Sequence, residues 1–389
     1  MLSKSVRAVL LRLHLWLALV FGSVFVVLGL TGSIISWMPE LDHLLNPSLF
    51  KSTHTASNAE RVTPAMVQAA VDMLQADDHN GRYGRYGRPR QVMIPASTAE
   101  VFVAWYPPTP QDRSIFGQNW SRQVMLDPMT MAVTGERNWG EYGLSPALLI
   151  PTIYHLHRYM LLGETGKTVI AVCGLMLILM SVSGLFLWLP KPAWKALRQA
   201  LTVNFSASAM AVNFRLHRMS GFFALPVFLL LGFSGTYFNQ PRWIVPVIST
   251  VLPVTGTRET GNANKPAEQV ISVAQAMQYA QDVFPQARIT RLGLPSSTAT
   301  AYEIRLRQAT EIHRGDGASR ISVDAESGRI LRVIDPLRGQ SGDRLLTWLF
   351  PLHSGTAFGT VGRIFISCFG LMPLILMVTG WRMWRKRMT

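Results

Sequence analysis

The sequence predicts a helical membrane protein with extramembrane α+β modules, in which four transmembrane helices form two span-module-span repeats. Of the 389 residues, 49% are hydrophobic and only 15% are charged, and the mean hydropathy is +0.21. Soluble globular domains carry about 25% charged residues. The chain is therefore too apolar for an ordinary soluble protein of its length.

Four apolar stretches are each long enough to cross a hydrocarbon core as a helix, which takes about 17–25 residues. They are Leu13–Trp37, Thr168–Leu189, Gly221–Phe238 and Ile364–Trp381. The first follows a basic start, as a cleavable signal peptide would, but its apolar run is too long and no Ala-x-Ala-like site closes it. We expect it to remain as a membrane anchor.

The net charge of +15 is concentrated largely beside the predicted spans. The basic clusters are Lys4, Arg7 and Arg12; Lys191, Lys195, Arg198, Arg215 and Arg218; and Arg382, Arg385, Lys386 and Arg387. By the positive-inside rule we expect these clusters, and with them both termini, on the cytoplasmic side of the membrane. Membrane lipid is then an expected partner, and nucleic acid is not.

The two long segments between spans are expected in the periplasm, and their patterns repeat. Each begins with an amphipathic helix, Thr63–Gln75 or Ser272–Phe284, and later has two alternating strands around a turn at Asp127 or Asp324. We expect two small α+β modules, each with an antiparallel sheet. A basic stretch at residues 82–90, rich in Gly, has no counterpart in the second module and is predicted as a loop.

These patterns divide the chain into seven segments. They are 1–38, the cytoplasmic N-terminus and first span; 39–150, the first module; 151–190, the second span with its periplasmic lead-in; 191–213, a cytoplasmic loop; 214–238, the third span; 239–345, the second module; and 346–389, the fourth span and basic tail.

Four histidines carry the strongest functional signal, because each lies at the start of an apolar segment that closes with a Ser/Thr-Gly pair. The histidine and the closing glycine are 18 residues apart in two segments and 27 in the other two: His14 to Gly32, His217 to Gly235, His157 to Gly184 and His353 to Gly380. The spacings match two by two, so the sequence predicts a duplication.

Matched histidines on facing helices are typical of haem held inside a membrane. Two axial imidazoles on one iron bring their ligating nitrogens to about 4 Å from each other, so both must lie at one depth. His14 and His217 start outward-going spans and are predicted to form an inner pair. His157 and His353 start inward-going spans and are predicted to form an outer pair, where electrons leave. These four are the expected axial ligands of two haem b groups.

His155 is the alternative ligand of the outer site, or a residue that serves it by hydrogen bonding or proton transfer. Residues two apart on a helix point about 200° from each other, so His155 and His157 cannot both reach one iron. The repeat favours His157, because His155 aligns with Pro351.

Other residues bear on the type and setting of the haem. Cys173 and Cys368 both fall in apolar spans, so covalent attachment through a Cys-x-x-Cys-His motif is excluded and the haem is b-type. Cations expected to meet haem propionates are Arg12 and Arg215 inside and Lys167 and Arg363 outside. The span glycines fit two interpretations equally, room for a porphyrin or contact between helices.

The chain resembles the PepSY-associated transmembrane proteins, through its Leu-His spans with Ser/Thr-Gly ends, the Leu162-Gly-Glu-Thr-Gly-Lys167 stretch and the strands that end at Asp127 and Asp324. Within that family it is similar to bacterial inner-membrane siderophore-iron reductases of the ferrioxamine type. The resemblance implies two b haems, a ferric siderophore as periplasmic substrate and electrons supplied from inside.

These observations predict an oxidoreductase that reduces ferric-siderophore iron, docked between the two modules, through the outer haem. No Gly-x-Gly-x-x-Gly or Walker pattern is present, so the electron donor is expected to be a separate cytoplasmic reductase or a quinol. The alternatives are a haem-binding electron-transfer subunit for another reductase, and a PepSY-type sensor or protease regulator without enzymatic activity. A transporter is disfavoured because few polar residues lie at mid-membrane.

Overall fold

The computed structural model describes residues 3–54, 59–76, 88–107, 121–190, 193–255, 270–296 and 299–388. Most of the basic stretch predicted as a loop, residues 82–87, lies outside these ranges. The chain forms two compact units. A helical unit comprises residues 1–37, 153–247 and 352–389, and a sheet-containing unit comprises residues 38–152 and 248–351.

The described elements are thirteen α-helices and eight strands. The helices are α1 Lys4–Ile35, α2 Met38–Leu45, α3 Pro47–Phe50, α4 Pro64–Ala76, α5 Pro146–Tyr159, α6 Gly163–Trp188, α7 Trp194–Ala200, α8 Ala209–Asn239, α9 Pro241–Ser249, α10 Val273–Val283, α11 Ser341–His353, α12 Gly359–Phe369 and α13 Met372–Met388. The strands are β1 Gln91–Met93, β2 Phe102–Tyr106, β3 Ser121–Leu126, β4 Val133–Trp139, β5 Arg288–Gly293, β6 Ala301–Arg307, β7 Ser319–Asp324 and β8 Ile330–Ile334.

Within the described ranges, four helical segments are long and apolar enough to cross a membrane: Lys4–Ile35, Gly163–Trp188, Ala209–Asn239 and Thr356–Lys386. The first and third begin well before the apolar stretches seen in the sequence, because Ser3 and Ser208 cap them by accepting the backbone N–H of Val6 and Ala211. His14 and His217 consequently lie inside these helices and not at their starts.

The four segments pack in a ring. The first, α1, packs against α6 and α13, and α8 packs against the same two helices. Two glycine contacts allow this close approach. A Cβ on Gly29 would lie 2.2 Å from the Gly370 carbonyl oxygen, and one on Gly232 would lie 2.8 Å from the Gly174 carbonyl oxygen. Of the two interpretations of these glycines, helix contact is the one that the structure supports at these positions.

A hydrogen bond accompanies each glycine contact, at equivalent positions. The hydroxyl of Ser33 donates to the carbonyl oxygen of Ser367 at 2.8 Å, and that of Thr236 donates to the carbonyl oxygen of Ala171 at 3.2 Å. Interhelical hydrogen bonds of this kind stabilise helix pairs in an apolar solvent. The α1–α12 and α6–α8 contacts are therefore built in the same way.

The second and fourth spans are each preceded by a separate helix, α5 or α11, which differs from the expectation that His157 and His353 start the spans themselves. Backbone in the left-handed region separates helix from span, with φ of 57° at Gly163 and 62° at Gly359. The preceding helix then folds closely onto its span: a Cβ on Gly166 would lie 1.7 Å from the Tyr159 carbonyl oxygen. His157 and His353 lie near or at the ends of these preceding helices.

The sheet-containing unit has one antiparallel sheet of eight strands in the order β4-β3-β2-β1-β5-β6-β7-β8. The two segments expected as modules are joined because β1 pairs with β5, with Val92 opposite Leu292. The helices α4 and α10 cover one face, and their buried side chains share a single core with the strands. The two predicted modules therefore form one continuous sheet, and the docking of a ferric chelate between them stays a prediction.

The two turns predicted from the repeat are built around Asp127 and Asp324. Asp127 accepts the backbone N–H of Met129 at 2.8 Å and that of Thr53 at 2.6 Å. Burial raises the pKa of Asp127, but these and further N–H donors outweigh it and hold the pKa well below its usual value of 3.8. Hydrogen bonds from Ser327 lower the pKa of Asp324 in the same way.

Candidate functional site

The helical unit brings the four span histidines together as two pairs. His14 on α1 lies beside His217 on α8, with ring centroids 6.5 Å apart and ring planes at 90°. His157 on α5 lies beside His353 on α11, with centroids also 6.5 Å apart and planes at 76°. These are the inner and outer pairs that the sequence predicts.

The two pairs lie at different levels of the helical unit. His157 contacts α1 at Thr31, which is 17 residues beyond His14 on the same helix (31 − 14 = 17). His353 contacts α8 at Ser234, which is 17 residues beyond His217 (234 − 217 = 17). At 1.5 Å per residue, both intervals correspond to about 26 Å along a helix. The separation is close to the thickness of a hydrocarbon core, about 30 Å.

A hydroxyl from a spanning helix holds each imidazole of the outer pair. Thr31 Oγ1 lies 3.1 Å from His157 Nδ1, and Ser234 Oγ lies 2.6 Å from His353 Nδ1. Each hydroxyl donates its own hydrogen to a carbonyl oxygen one turn earlier, that of Val27 or Leu230, at 2.6 Å. The hydroxyl oxygen must then accept from Nδ1–H, which leaves Nε2 as the unprotonated nitrogen.

The inner pair is held by the same arrangement. Thr379 Oγ1 lies 2.9 Å from His217 Nδ1 and donates to the Ile375 carbonyl oxygen at 2.7 Å. His14 Nδ1 lies 3.0 Å from Ser183 Oγ and 3.1 Å from the Met180 carbonyl oxygen, which can only accept. All four imidazoles therefore carry their proton on Nδ1 and offer Nε2 as a metal-ligating atom.

The glycine that follows each hydroxyl lies close to the imidazole in three of the four positions. A Cβ on Gly32 would be 3.0 Å from His157 Cε1, one on Gly184 3.1 Å from His14 Cε1, and one on Gly380 3.4 Å from His217 Cε1. A Cβ on Gly235 would meet nothing within 4 Å. All four hydroxyls thus contact an imidazole, and at Gly32, Gly184 and Gly380 the lack of a side chain leaves room for the ring.

The geometry of both pairs fits a haem iron between the two rings. An Fe–N bond of about 2 Å and a further ~1.1 Å from Nε2 to the ring centre place the two centroids of an axial imidazole pair about 6.2 Å apart. The observed separation is 6.5 Å in both pairs. Two imidazoles are also the number that a six-coordinate haem iron takes from the protein. The residues that would hold haem are His14 with His217 and His157 with His353.

His155 points away from the outer pair, as its spacing from His157 predicts. It is only 6% exposed and stacks on Tyr159, with ring centroids 5.2 Å apart and planes at 27°. Tyr154 meets the same imidazole edge-on at 5.6 Å. His155 therefore belongs to an aromatic cluster next to the outer pair, and not to the pair itself.

Two of the four cations expected to meet propionates, Lys167 and Arg363, have local partners. Lys167 pairs with Glu164 at 2.8 Å, and Arg363 Nε donates to the Ser36 carbonyl oxygen at 2.8 Å. Of the other two cations, Arg12 is exposed and Arg215 is half-buried. A role for these four in binding propionates stays a prediction.

The hydroxyl residues were part of the sequence pattern, but their role was not predicted. Each hydroxyl belongs to a different helix from the histidine that it holds: Thr31 to His157, Ser183 to His14, Ser234 to His353 and Thr379 to His217. The signal available in the sequence was the invariable pairing of each histidine segment with a Ser/Thr-Gly end. Which hydroxyl contacts which histidine depends on how the helices pack, for example α1 on α6 and α8 on α13.

Four apolar helical segments and a sheet-containing unit define an integral membrane protein of the multi-span helical class. The chain matches the family described as PepSY-associated TM region over residues 11–387 and belongs to that family. No curated protein matches the chain.

Proposed function

We propose that the protein is a two-haem b ferric reductase of a bacterial inner membrane, with both termini in the cytoplasm. Electrons enter on the cytoplasmic side and reduce ferric-siderophore iron in the periplasm, which is released as ferrous iron. The observation that carries this proposal is the presence of two imidazole pairs, each with centroids 6.5 Å apart, at levels about 26 Å apart along α1.

The roles of the chain's own residues follow from the contacts of the imidazoles. His14, His217, His157 and His353 present Nε2, and the Ser/Thr hydroxyls fix the tautomer and ring orientation through Nδ1. Bound haem would supply a reversible one-electron iron couple at each level. Two levels are needed because a single haem does not extend across about 30 Å of hydrocarbon.

Reduction is a chemically sensible way to release siderophore iron. Ferric iron is a hard cation that hydroxamate or catecholate oxygens hold tightly, whereas ferrous iron binds the same oxygens far more weakly. The sequence has no nucleotide-binding motif between its spans, which supports a separate cytoplasmic reductase or a membrane quinol as the electron donor.

The test uses the full-length protein in sealed proteoliposomes with a reductant inside and a ferric hydroxamate outside, together with an impermeant ferrous chelator. We expect ferrous chelate to form outside with the wild type and to be lost in His353→Ala. His155→Phe is the matched control, because it keeps an aromatic ring beside Tyr159 and leaves the outer pair intact. Equal loss in His155→Phe would contradict the assignment of the outer pair.

Two further outcomes separate this proposal from its alternatives. A full haem complement without reduction of any ferric chelate would assign the protein as an electron-transfer subunit for another reductase. Absence of haem from the purified protein would favour a sensor or protease regulator. Both outcomes contradict the ferric reductase proposal.

A further inference from the structure

A groove of about 910 Å³ lies between the first turns of α8 and one face of α13. Apolar side chains of α13 line one part of it, among them Leu374 and Val378. Three cations from the last turns of the same helix line the other part: Arg382, Arg385 and Lys386. The lining therefore changes from apolar to basic along the helix.

The length of the groove matches the depth of one lipid leaflet. Leu374 and Arg385 are 11 residues apart on α13 (385 − 374 = 11), which corresponds to about 17 Å along a helix. Half of a hydrocarbon core of about 30 Å is about 15 Å. Trp381 lines the groove where its apolar part meets its basic part, as tryptophans do at a membrane surface. The basic part therefore lies at the level of lipid headgroups.

The helical unit contains almost no acidic residues. Its residues 1–37, 165–247 and 352–389, which are all of the unit except the short segment 153–164, contain no Asp or Glu. The cations of the groove therefore find no carboxylate side chain in these segments. Their charge is complementary to an anion that comes from outside them.

The positive-inside rule explains basic residues beside a span, but it does not require them to line a groove. Lys195 and Arg198 on α7 are exposed cations that lie outside the groove. Arg382 and Arg385 differ from them because they continue an apolar face, in which positions 374, 378, 382 and 385 follow one another at helical spacing. This alignment is typical of a site for a ligand that is apolar at one end and anionic at the other.

The groove also lies over a contact between α8 and α13. Asn213 lines the groove, is only 6% exposed, and donates to the Thr379 carbonyl oxygen at 2.8 Å. The hydroxyl of Thr379 in turn contacts His217 of the inner pair. A ligand in the groove would therefore pack against the contact that joins these two helices, and should stabilise it.

We propose that this groove binds one anionic phospholipid, with its phosphate on Arg382 and Arg385 and its acyl chains along Leu374 and Val378. A guanidinium group matches two phosphate oxygens with two parallel N–H donors. Basic pockets between membrane helices recognise anionic headgroups in this way. The apolar lining selects a lipid over a free phosphate ion, because only a lipid removes that surface from water.

The test measures lipid bound to the full-length protein by native mass spectrometry, in detergent micelles that contain phosphatidylglycerol. We expect one phosphatidylglycerol per wild-type chain, and an affinity at least about tenfold lower in the double variant Arg382→Gln/Arg385→Gln. Lys195→Gln/Arg198→Gln is the matched control, because it removes two charges outside the groove. Equal weakening in the two double variants would overturn the proposal, since the attraction would then be diffuse.

A second pair of variants tests the apolar part without changing the charge. Val378→Trp fills the groove and should displace the bound lipid, whereas Ile375→Trp, at an exposed position of the same helix outside the groove, should leave it bound. A folded Val378→Trp protein that retains phosphatidylglycerol as well as the wild type would contradict the proposed position of the acyl chains.

Thermal unfolding gives an independent readout. Phosphatidylglycerol should raise the unfolding temperature of the wild type and not that of Arg382→Gln/Arg385→Gln. Phosphatidylcholine or inorganic phosphate should raise neither. An equal effect of phosphatidylcholine would contradict an anion site, and an equal effect of inorganic phosphate would contradict a lipid site.

This lipid site does not rest on the proposed function. Phosphatidylglycerol binding should be unchanged in His353→Ala, whether or not the protein is a reductase, because His353 contacts Ser234 at the other level of the helical unit. Loss of lipid binding in that variant as well as in Arg382→Gln/Arg385→Gln would overturn the assignment of the lipid to this groove.

Discussion

Thr31 and His157 lie on different helices, and Thr31 Oγ1 accepts the Nδ1 proton of His157 at 3.1 Å because its own hydrogen is donated to Val27 at 2.6 Å. This contact fixes which nitrogen of the imidazole can bind a metal. The same relationship recurs at His353, where Ser234 donates to Leu230. The second half of the chain therefore repeats the first in hydrogen bonding as well as in spacing.

Replacing the hydroxyl should weaken haem binding at the outer pair. In Thr31→Val the side-chain shape is kept but the acceptor for Nδ1–H is lost, and loss of such a contact typically costs about 10- to 100-fold in metal affinity or activity. Haem titration of the apoprotein should show one weakened site of two. Ser36→Ala is the control, because its hydroxyl donates to the Gly32 carbonyl oxygen on the same helix. Equal weakening in both variants would contradict a specific role for Thr31.

Two glycines at equivalent positions should respond differently to a methyl group. In Gly32→Ala the new Cβ would lie 3.0 Å from His157 Cε1, so the imidazole must shift, whereas Gly235→Ala adds a methyl group to open space. We expect haem content per chain to fall in Gly32→Ala and to stay unchanged in Gly235→Ala. Pyridine haemochrome quantification measures both. The same haem content in the two variants would show that Gly32 does not position His157.

Helix packing should be disturbed by an added methyl group at Gly29 and should tolerate one at Gly22. A Cβ at Gly29 would lie 2.2 Å from a backbone oxygen of Gly370, which cannot move without separating the helices, whereas one at Gly22 would meet only Met377 at 3.8 Å. Gly29→Ala should lower the unfolding temperature in detergent or abolish monodisperse protein, and Gly22→Ala should leave both unchanged. A stable, monodisperse Gly29→Ala protein would contradict the close contact between α1 and the end of α12.

The turn at Asp127 should make the sheet-containing unit sensitive to acid. The folded pKa lies below the ordinary value of 3.8, so the ionised carboxylate contributes stability above that pH, and the contribution is lost as the pH falls below it. Asp127→Asn should unfold at a lower temperature than the wild type at pH 7, with the difference shrinking below about pH 4. Asp324→Asn should lose less, because among the described residues Asp324 accepts hydrogen bonds from Glu326 and Ser327 of its own turn, whereas Asp127 also accepts from Ser52 and Thr53. A difference that persists unchanged at low pH would contradict this reasoning.

The sequence predicts the parts of this architecture that repeat locally. Helix spacing and charge distribution were enough to pair His14 with His217 and His157 with His353, because residues at equivalent positions of parallel spans share a depth. The sequence also predicted the positions of the four spans, although α8 begins at Ala209, ahead of its apolar stretch.

Relationships between distant segments were not predictable in this way. The joining of β1 to β5 depends on which strand edges meet, and a strand's own alternation does not encode its neighbour. The break between α5 and its span was missed because Met160 and Leu161, which have positive φ, have no sequence signal for that conformation. The role of the span glycines could not be predicted from the sequence either, because Gly29 and Gly32 differ only in what packs against them.

The central claim, that two imidazole pairs hold two haems, is tested most directly by the reduced and oxidised optical spectra of the purified protein with haem counted per chain. The account predicts a six-coordinate b-type spectrum with two haems, falling to one haem in His14→Ala and to one in His353→Ala, with none in the double variant. A wild-type protein without that spectrum, or a variant pair in which both changes remove the same haem, would contradict it.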